Sequence, residues 1–208
     1  MKKILIFVII FLSSCGQADE SKKSNDNTSN NNIESSGEIK KIVVGNKDAK
    51  ITIIAFESLT CSHCANFHKD VYPQLKKEYL DTGLAKIEFR HFPLDISALN
   101  AAKVSQCKND GDSTILNSLF LNQQKWVKGS STDEANKNLQ KFLTGEGFDV
   151  DFENCINNKE IEDFILNDRI DGVKNFKVNA TPTIIINNKK FEKSLNYNNL
   201  KKALEKLI

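Results

Sequence analysis

Two cysteines and two histidines fall within one nine-residue segment, TCSHCANFH (residues 60–68). Cysteine thiolates exchange disulfides with other proteins, and cysteine and histidine side chains are also the usual ligands of zinc. The segment therefore predicts either a redox-active dithiol or a set of metal ligands.

The metal interpretation requires more ligands than this segment supplies. Cys61, Cys64 and His68 fall at helical positions i, i+3 and i+7 and share one face, with His63 beside them. A tetrahedral structural site needs four ligands, and no second C-x-x-C occurs in the chain. We therefore expect no metal and expect His68 to pack within the fold and His91 to end a strand. A tethered metal-binding protein is the alternative.

The elements around the dithiol favour redox chemistry. Residues 51–56 form a nearly continuous apolar run, typical of a strand covered on both faces. Thr60 is then a suitable N-cap, and apolar residues recur at helical spacing from Cys64 to Tyr79. Because unpaired N–H groups and the helix dipole favour negative charge at a helix N-terminus, we expect Cys61 to be the reactive thiolate.

The residues that follow Cys61 strengthen this prediction. Cys64 lies one helical turn further on, close enough to form a disulfide with Cys61. His63 adds a donor or a positive charge beside the thiolate. Stabilising the thiolate stabilises the reduced protein, which makes the disulfide a stronger oxidant.

The rest of the chain predicts one α/β sheet interrupted by a helical block. Residues 42–44 and 85–89 have strand patterns. The strand at 51–56, the helix that follows it and the strand at 85–89 are predicted to form a βαβ unit. Residues 183–186 predict another strand that opens a hairpin, and residues 200–207 a terminal helix. The block between them is predicted to contain helices near 96–108, 113–127, 132–144, 149–158 and 160–175.

Two distant segments resemble the DsbA-like thiol–disulfide oxidoreductases of bacterial envelopes. FESLTCSHCANFH, residues 56–68, looks like the family's active-site segment, including the histidine directly before the second cysteine. Ala180-Thr181-Pro182-Thr183 opens a strand and resembles the family's cis-proline loop, with Pro182 118 positions after Cys64. The segment FRHFPL at 89–94 and the helical insertion are also similar.

The resemblance implies a thioredoxin fold with an all-helical insertion between its βαβ and ββα halves. The N-terminal half is then residues 39–94, the insertion residues 95–175 and the C-terminal half residues 176–208. In that family the proline packs against the dithiol, and the backbone before it receives the extended client chain. Thr181 and Pro182 are accordingly the expected substrate-binding residues.

The resemblance also implies an enzyme that introduces disulfides into reduced exported proteins. Cys61 forms the mixed disulfide and Cys64 resolves it, with no cofactor apart from this redox-active pair. A quinone-linked membrane protein is the implied re-oxidising partner. Because some family oxidases have valine where this chain has Thr181, and related isomerases and reductases have threonine, a disulfide isomerase or reductase is the alternative.

One position departs from the family pattern. Members often carry an acidic residue six positions before the first cysteine, where this chain has Ala55. Glu57, two residues later on the same strand face, is a candidate for proton transfer from Cys64. A strand-end carboxylate that faces solvent is the alternative.

Two further cysteines, Cys107 and Cys155, lie in the predicted helical insertion. A structural disulfide between them is plausible, and some DsbA-like proteins are similar in having one. It would close a loop of about 48 residues and stabilise the fold by up to ~4 kcal/mol in the chain-entropy model. Two buried free thiols are the alternative.

The N-terminal segment predicts export and a membrane anchor. Two lysines precede nine apolar residues at 4–12, a run that spans only ~14 Å as a helix, well short of a ~30 Å bilayer core. The following Leu-Ser-Ser-Cys resembles a bacterial lipobox, so residues 1–14 are predicted to be a signal peptide and Cys15 to carry lipid. Ordinary secretion is the alternative. Residues 15–38 are polar and predict a disordered tether.

These features place the predicted protein in the cell envelope or periplasm, anchored to a membrane, where disulfides persist. The formal net charge is +2, and no lysine or arginine cluster is interleaved with aromatic residues. We therefore expect no binding to nucleic acid.

Overall fold

The computed structural model describes residues 38–208, so the predicted signal peptide, Cys15 and nearly all of the tether lie outside the described residues. The described part contains one five-stranded sheet in the order β1-β3-β2-β4-β5. Strands β2 and β3 are parallel, and the other neighbouring pairs are antiparallel. The strands are β1 (Ile42–Gly45), β2 (Ile51–Glu57), β3 (Ala85–His91), β4 (Thr183–Ile186) and β5 (Lys189–Lys190).

The described residues also contain nine α-helices, and the predicted order ββαβ, helical block, ββα is confirmed. The block has six helices instead of five because the segment predicted at 113–127 divides at Asn122, whose backbone is not helical. Two π-helical turns, Phe67–Val71 and Lys76–Leu80, belong to the helical stretch after β2. The helices are α1 (Ser62–Asn66), α2 (Tyr72–Leu75), α3 (Ile96–Gln106), α4 (Thr114–Leu121), α5 (Gln123–Trp126), α6 (Thr132–Gly145), α7 (Phe152–Asn157), α8 (Lys159–Phe176) and α9 (Tyr197–Leu204).

The start of α1 differs from the prediction. Thr60 is not the N-cap: Cys61 occupies that position with an extended backbone, at φ −81° and ψ 119°. The Thr60 hydroxyl instead donates a hydrogen bond to Asp95 Oδ2 at 2.7 Å. Since Asp95 is itself the N-cap of α3, this bond connects the start of α1 to the start of the insertion.

Both faces of the sheet are covered, which explains the continuous apolar run of β2. Ile53 and Ala55 face the larger core, to which α1, the π-turns and the insertion contribute. Ile54 and Phe56 face a smaller core with Phe92, and the C-terminal part of α8 lies over it. A Cβ atom at Gly172 of α8 would lie 2.9 Å from the Phe56 ring, so this helix approaches the sheet closely. Near its carboxyl end, β2 is thereby packed between the larger core on one face and α8 on the other.

Cys107 and Cys155 form a disulfide within the insertion. Cys107 follows α3 and Cys155 lies in α7, with their Cα atoms 5.5 Å apart. Within residues 38–208, no helix has both the length and the apolar character that crossing a membrane requires.

Candidate active site

The loop between β2 and α1 holds Cys61 in place. Gln123 of α5 donates from Nε2 to the carbonyl oxygens of Leu59 and Cys61, at 2.8 and 3.0 Å. On the other side, the Leu94 N–H donates to Ser58 Oγ at 3.3 Å. The backbone on either side of the reactive cysteine is therefore tied to the insertion and to the segment after β3.

Cys61 is partly exposed, and its surroundings favour the thiolate. The pKa of Cys61 is lowered to about 5, chiefly because the Cys64 thiol donates a hydrogen bond to it. Partial burial of the side chain opposes this effect, while Thr181 and the backbone N–H groups of Cys64 and His63 reinforce it. An N-cap side chain normally accepts hydrogen bonds from these first-turn N–H groups, and here a sulfur occupies that position.

Cys64 has the opposite character. Its side chain is completely buried, and burial is the main reason why its pKa is raised above the ordinary value. The hydrogen bond to Cys61 and the nearby carboxylate of Glu57 raise it further. At neutral pH the pair therefore consists of one partly exposed thiolate and one buried thiol, the arrangement expected of an attacking and a resolving cysteine.

His63 acts on Cys61 through its backbone N–H, while its side chain is exposed. We expect His63→Pro, which removes that N–H, to raise the pKa of Cys61 by about one pH unit more than His63→Ala does, since one hydrogen bond to a charged group is worth ~1.5–3 kcal/mol. The ultraviolet absorbance of the thiolate, followed against pH, measures both values. Equal pKa values in the two variants would assign the effect of His63 to its imidazole.

Glu57 is buried at the end of β2, with only 4 % of its surface exposed, so the solvent-facing alternative is wrong. Its Oε2 lies 2.9 Å from His68 Nε2, and His68 Nδ1 lies 3.0 Å from Asn117 Oδ1 on α4. The His68 ring stacks on Phe120, with the ring centroids 4.1 Å apart. Burial raises the pKa of Glu57, and His68 counteracts this by its charge and its hydrogen bond. His68 therefore packs within the fold, as predicted, and also contacts a buried acid.

His91 is the last residue of β3, as predicted, and pairs in register with Glu57. It is buried, and burial lowers its pKa to about 4, so it is neutral at pH 7.

Among residues 38–208, no group of three or more Cys, His, Asp or Glu side chains has an arrangement that could hold a metal ion.

Thr181 and Pro182 lie beside the dithiol although they are distant in sequence. Cys61 Sγ lies 3.3 Å from the Thr181 carbonyl oxygen, and the Thr181–Pro182 peptide bond is cis. Both residues line an open cleft of about 480 Å³. The other residues of the cleft are His63, Asn66, Phe67, Asp70, Val71, Leu195, Asn196 and Tyr197. A chain lying in this cleft would pass next to Cys61.

Sequence reasoning missed three polar residues of the site: Asp95, Asn117 and Gln123. Asp95 precedes an apolar helical pattern, so its capping role had a local signal. Asn117 and Gln123 are polar residues within predicted helices, and no local pattern distinguishes them from surface positions.

A sequence model of the thioredoxin family matches residues 38–206, which include the dithiol, the insertion and the cis-proline. The chain belongs to the thioredoxin family. The α-DsbA1 protein of Wolbachia pipientis superimposes on this structure with a TM-score of 0.72 and 31 % sequence identity, over 81 % of this chain and 90 % of that one. The predicted thioredoxin fold with a helical insertion, and the likeness to DsbA, are confirmed.

Two curated relatives of this thioredoxin-family chain have names that refer to disulfide chemistry. Disulfide bond formation protein D of Bacillus subtilis is 29 % identical over 177 residues, covering 79 % of this chain and 75 % of the relative. A Rickettsia bellii protein named "Putative protein-disulfide oxidoreductase" is 28 % identical over 169 residues and 80 % of this chain. The match spans only 64 % of the length of that relative.

Proposed function

We propose that this chain is an envelope thiol–disulfide oxidoreductase that introduces disulfides into reduced exported proteins. The observation that carries the proposal is the asymmetric pair: a partly exposed Cys61 with a pKa of about 5 at a helix N-terminus, and a buried Cys64 with a raised pKa. The names of the relatives support the same class of reaction. The sulfur atoms of Cys61 and Cys64 suffice for disulfide exchange in this proposal, without a separate cofactor.

The proposed reaction has two exchange steps. A client thiolate attacks Cys61 of the oxidised pair, the Cys61–Cys64 bond breaks, and Cys64 leaves and takes up a proton. A second client thiolate then attacks the client sulfur of the mixed disulfide, and Cys61 leaves as a stable thiolate. The client gains a disulfide and the enzyme gains two electrons. Glu57, buried near Cys64, is the proposed proton carrier for that cysteine.

The cleft beside Thr181 and Pro182 is the proposed binding site for the client chain. Its position next to Cys61, whose Sγ lies 3.3 Å from the Thr181 carbonyl oxygen, supports this role. An extended client would bind through its main chain, which suits a protein that acts on many sequences.

The proposed location is the bacterial cell envelope or periplasm, with a lipid on Cys15 as membrane anchor. The predicted export signal at residues 1–14 and the lipobox-like Leu-Ser-Ser-Cys support this placement. A membrane partner linked to quinones would restore the Cys61–Cys64 disulfide after each turnover. The relatives named for disulfide bond formation are consistent with such a cycle.

The reduction potential of the Cys61–Cys64 pair tests the direction of electron flow. We expect a value well above the ≈ −270 mV of thioredoxin, because the stable thiolate favours the reduced state. Since only Cys64 needs a proton above pH 5, the potential should fall by ~30 mV per pH unit there and by ~59 mV per pH unit below it. Equilibration with glutathione buffers at several pH values measures both quantities.

A potential at or below that of thioredoxin, with a slope of ~59 mV per pH unit up to pH 8, would contradict the oxidase proposal and favour the reductase. The control is Ser62→Ala, since Ser62 is exposed between the two cysteines. A direct assay complements the potential: the oxidised protein should form disulfides in a reduced, unfolded client in stoichiometric amounts.

A further inference from the structure

Three polar side chains near the dithiol are connected by hydrogen bonds: Glu57 of β2, His68 of the first π-helical turn and Asn117 of α4. Glu57 Oε2 lies 2.9 Å from His68 Nε2, and His68 Nδ1 lies 3.0 Å from Asn117 Oδ1. The side chains of Glu57 and His68 are only 3 % and 0 % exposed. Within the described residues, the second carboxyl oxygen, Glu57 Oε1, is buried and has no hydrogen-bond partner.

The hydrogen-bonding roles in this group follow from Asn117. Its carbonyl oxygen can only accept, so His68 must carry a proton on Nδ1. The contact between Nε2 and Glu57 then contains one more proton, held either by an imidazolium or by a protonated carboxyl group. In both cases Glu57 and His68 together are electrically neutral, which is the least costly state for a buried pair.

Several other titratable groups face Glu57. Cys61 and Cys64 lie on the α1 side, and both interact electrostatically with the carboxylate. Tyr72 lies beyond His68, with the two ring centroids 5.3 Å apart, and its pKa is raised to about 12. His91 pairs with Glu57 on β3 and is neutral. His68 is therefore the group able to place a positive charge against the Glu57 carboxylate.

We propose that His68, oriented by Asn117, keeps buried Glu57 ionised, so that its free Oε1 accepts the Cys64 proton whenever the Cys61–Cys64 disulfide forms. His68 and Asn117 are thus positioning residues for proton transfer, and a helix of the insertion takes part in the chemistry of the thioredoxin half. This inference rests on the proposed exchange at Cys61.

The proposed proton transfer from Cys64 accompanies the formation of the Cys61–Cys64 disulfide. A partner disulfide is the oxidant and has already formed a mixed disulfide with Cys61. Cys64 loses its proton to Glu57 Oε1 and attacks Cys61 Sγ. The Cys61–Cys64 bond forms, the Cys61–partner bond breaks, and the partner sulfur leaves as a thiolate. The group then carries one positive charge until its extra proton is released, and the reverse step returns a proton to Cys64.

Two measurements on the reduced full chain test this proposal. Selective ¹³C labelling of glutamate carboxyl groups reports the titration of Glu57 directly, without any exchange reaction. Stopped-flow mixing with an aromatic disulfide reports two thiolate releases: the first follows attack by Cys61, and the second follows attack by Cys64. The second release and its pH profile isolate the proton transfer.

We expect His68→Gln to move the Glu57 titration to higher pH and to slow the second release by about tenfold to a hundredfold at pH 7. The first release should stay unchanged. Asn117→Ala should cause a smaller change in the same direction, and Asn117→Asp, which retains an acceptor for Nδ1–H, should restore the second release. Asn100→Ala is the matched control, because its amide bonds Asn136 within the insertion and is not part of this group.

Unchanged Glu57 titration and an unchanged second release in His68→Gln would overturn the inference. Should that variant fail to fold, equal second-release rates in Asn117→Ala and Asn117→Asp would overturn it instead. Failure of the proposed function has a different result: wild-type protein would show both releases with the small disulfide and yet form no disulfides in a reduced client.

Discussion

Cys61→Ser should abolish disulfide exchange, whereas Cys64→Ser should leave the protein attached to its clients as mixed disulfides. A serine hydroxyl at position 61 stays protonated at the helix N-terminus, so no nucleophile remains at the exposed position. We expect a loss of at least about 10³-fold, down to uncatalysed exchange. In Cys64→Ser the exposed thiolate still attacks, but no buried thiol can resolve the product.

Non-reducing electrophoresis of each variant after incubation with an unfolded client that contains one disulfide and free thiols measures both outcomes. Ser62→Ala should behave as wild type and serves as the control. Normal exchange by Cys61→Ser, or accumulation of mixed disulfides in Cys61→Ser instead of Cys64→Ser, would reverse the roles assigned to the two cysteines.

The double variant Cys107→Ala/Cys155→Ala should lose much of its stability and keep its chemistry. The disulfide closes a loop of 48 residues between α3 and α7, which in the chain-entropy model is worth up to about 4 kcal/mol of unfolding free energy. Cys155 is fully buried, so truncation also leaves a small cavity. Urea unfolding of wild type and double variant measures the loss.

The pKa of Cys61 in the folded double variant should equal that of wild type, because the site contacts the insertion through Asp95, Asn117 and Gln123 and not through the disulfide. Each single variant is the less informative comparison, since it leaves an unpaired thiol that can exchange with Cys61. Equal urea midpoints and slopes for wild type and double variant would contradict a stabilising role of the bond.

Local patterns in the sequence were sufficient to predict the elements and the reactive pair. The apolar run of β2, the alternation of β3 and the stripes of the helical block are signals of a few residues each, and helix or strand formation depends on that short range. Because the predicted helix begins directly after the strand, Cys61 falls at its start and Cys64 one turn further on, which predicts that Cys61 is the exchanging cysteine.

The burial and the partners of Glu57 could not be predicted in this way. From the sequence, Glu57 was a strand-end carboxylate with two possible environments. The insertion decides between them, because α4 brings Asn117 and Phe120 against His68, which in turn covers Glu57. His68 is 11 positions from Glu57 and 49 positions from Asn117 along the chain.

The sequence by itself determined the order of strands and helices and the likeness to DsbA, and it predicted a redox pair at Cys61 and Cys64 beside Thr181-Pro182. Only the tertiary structure decided that Cys61 rather than Thr60 caps α1, that Gln123 and Asp95 hold the loop, and that His68 contacts a buried acid. The physical reason is that desolvation and side-chain hydrogen bonds depend on which distant segments pack together. A pattern of neighbouring residues carries no information about that packing.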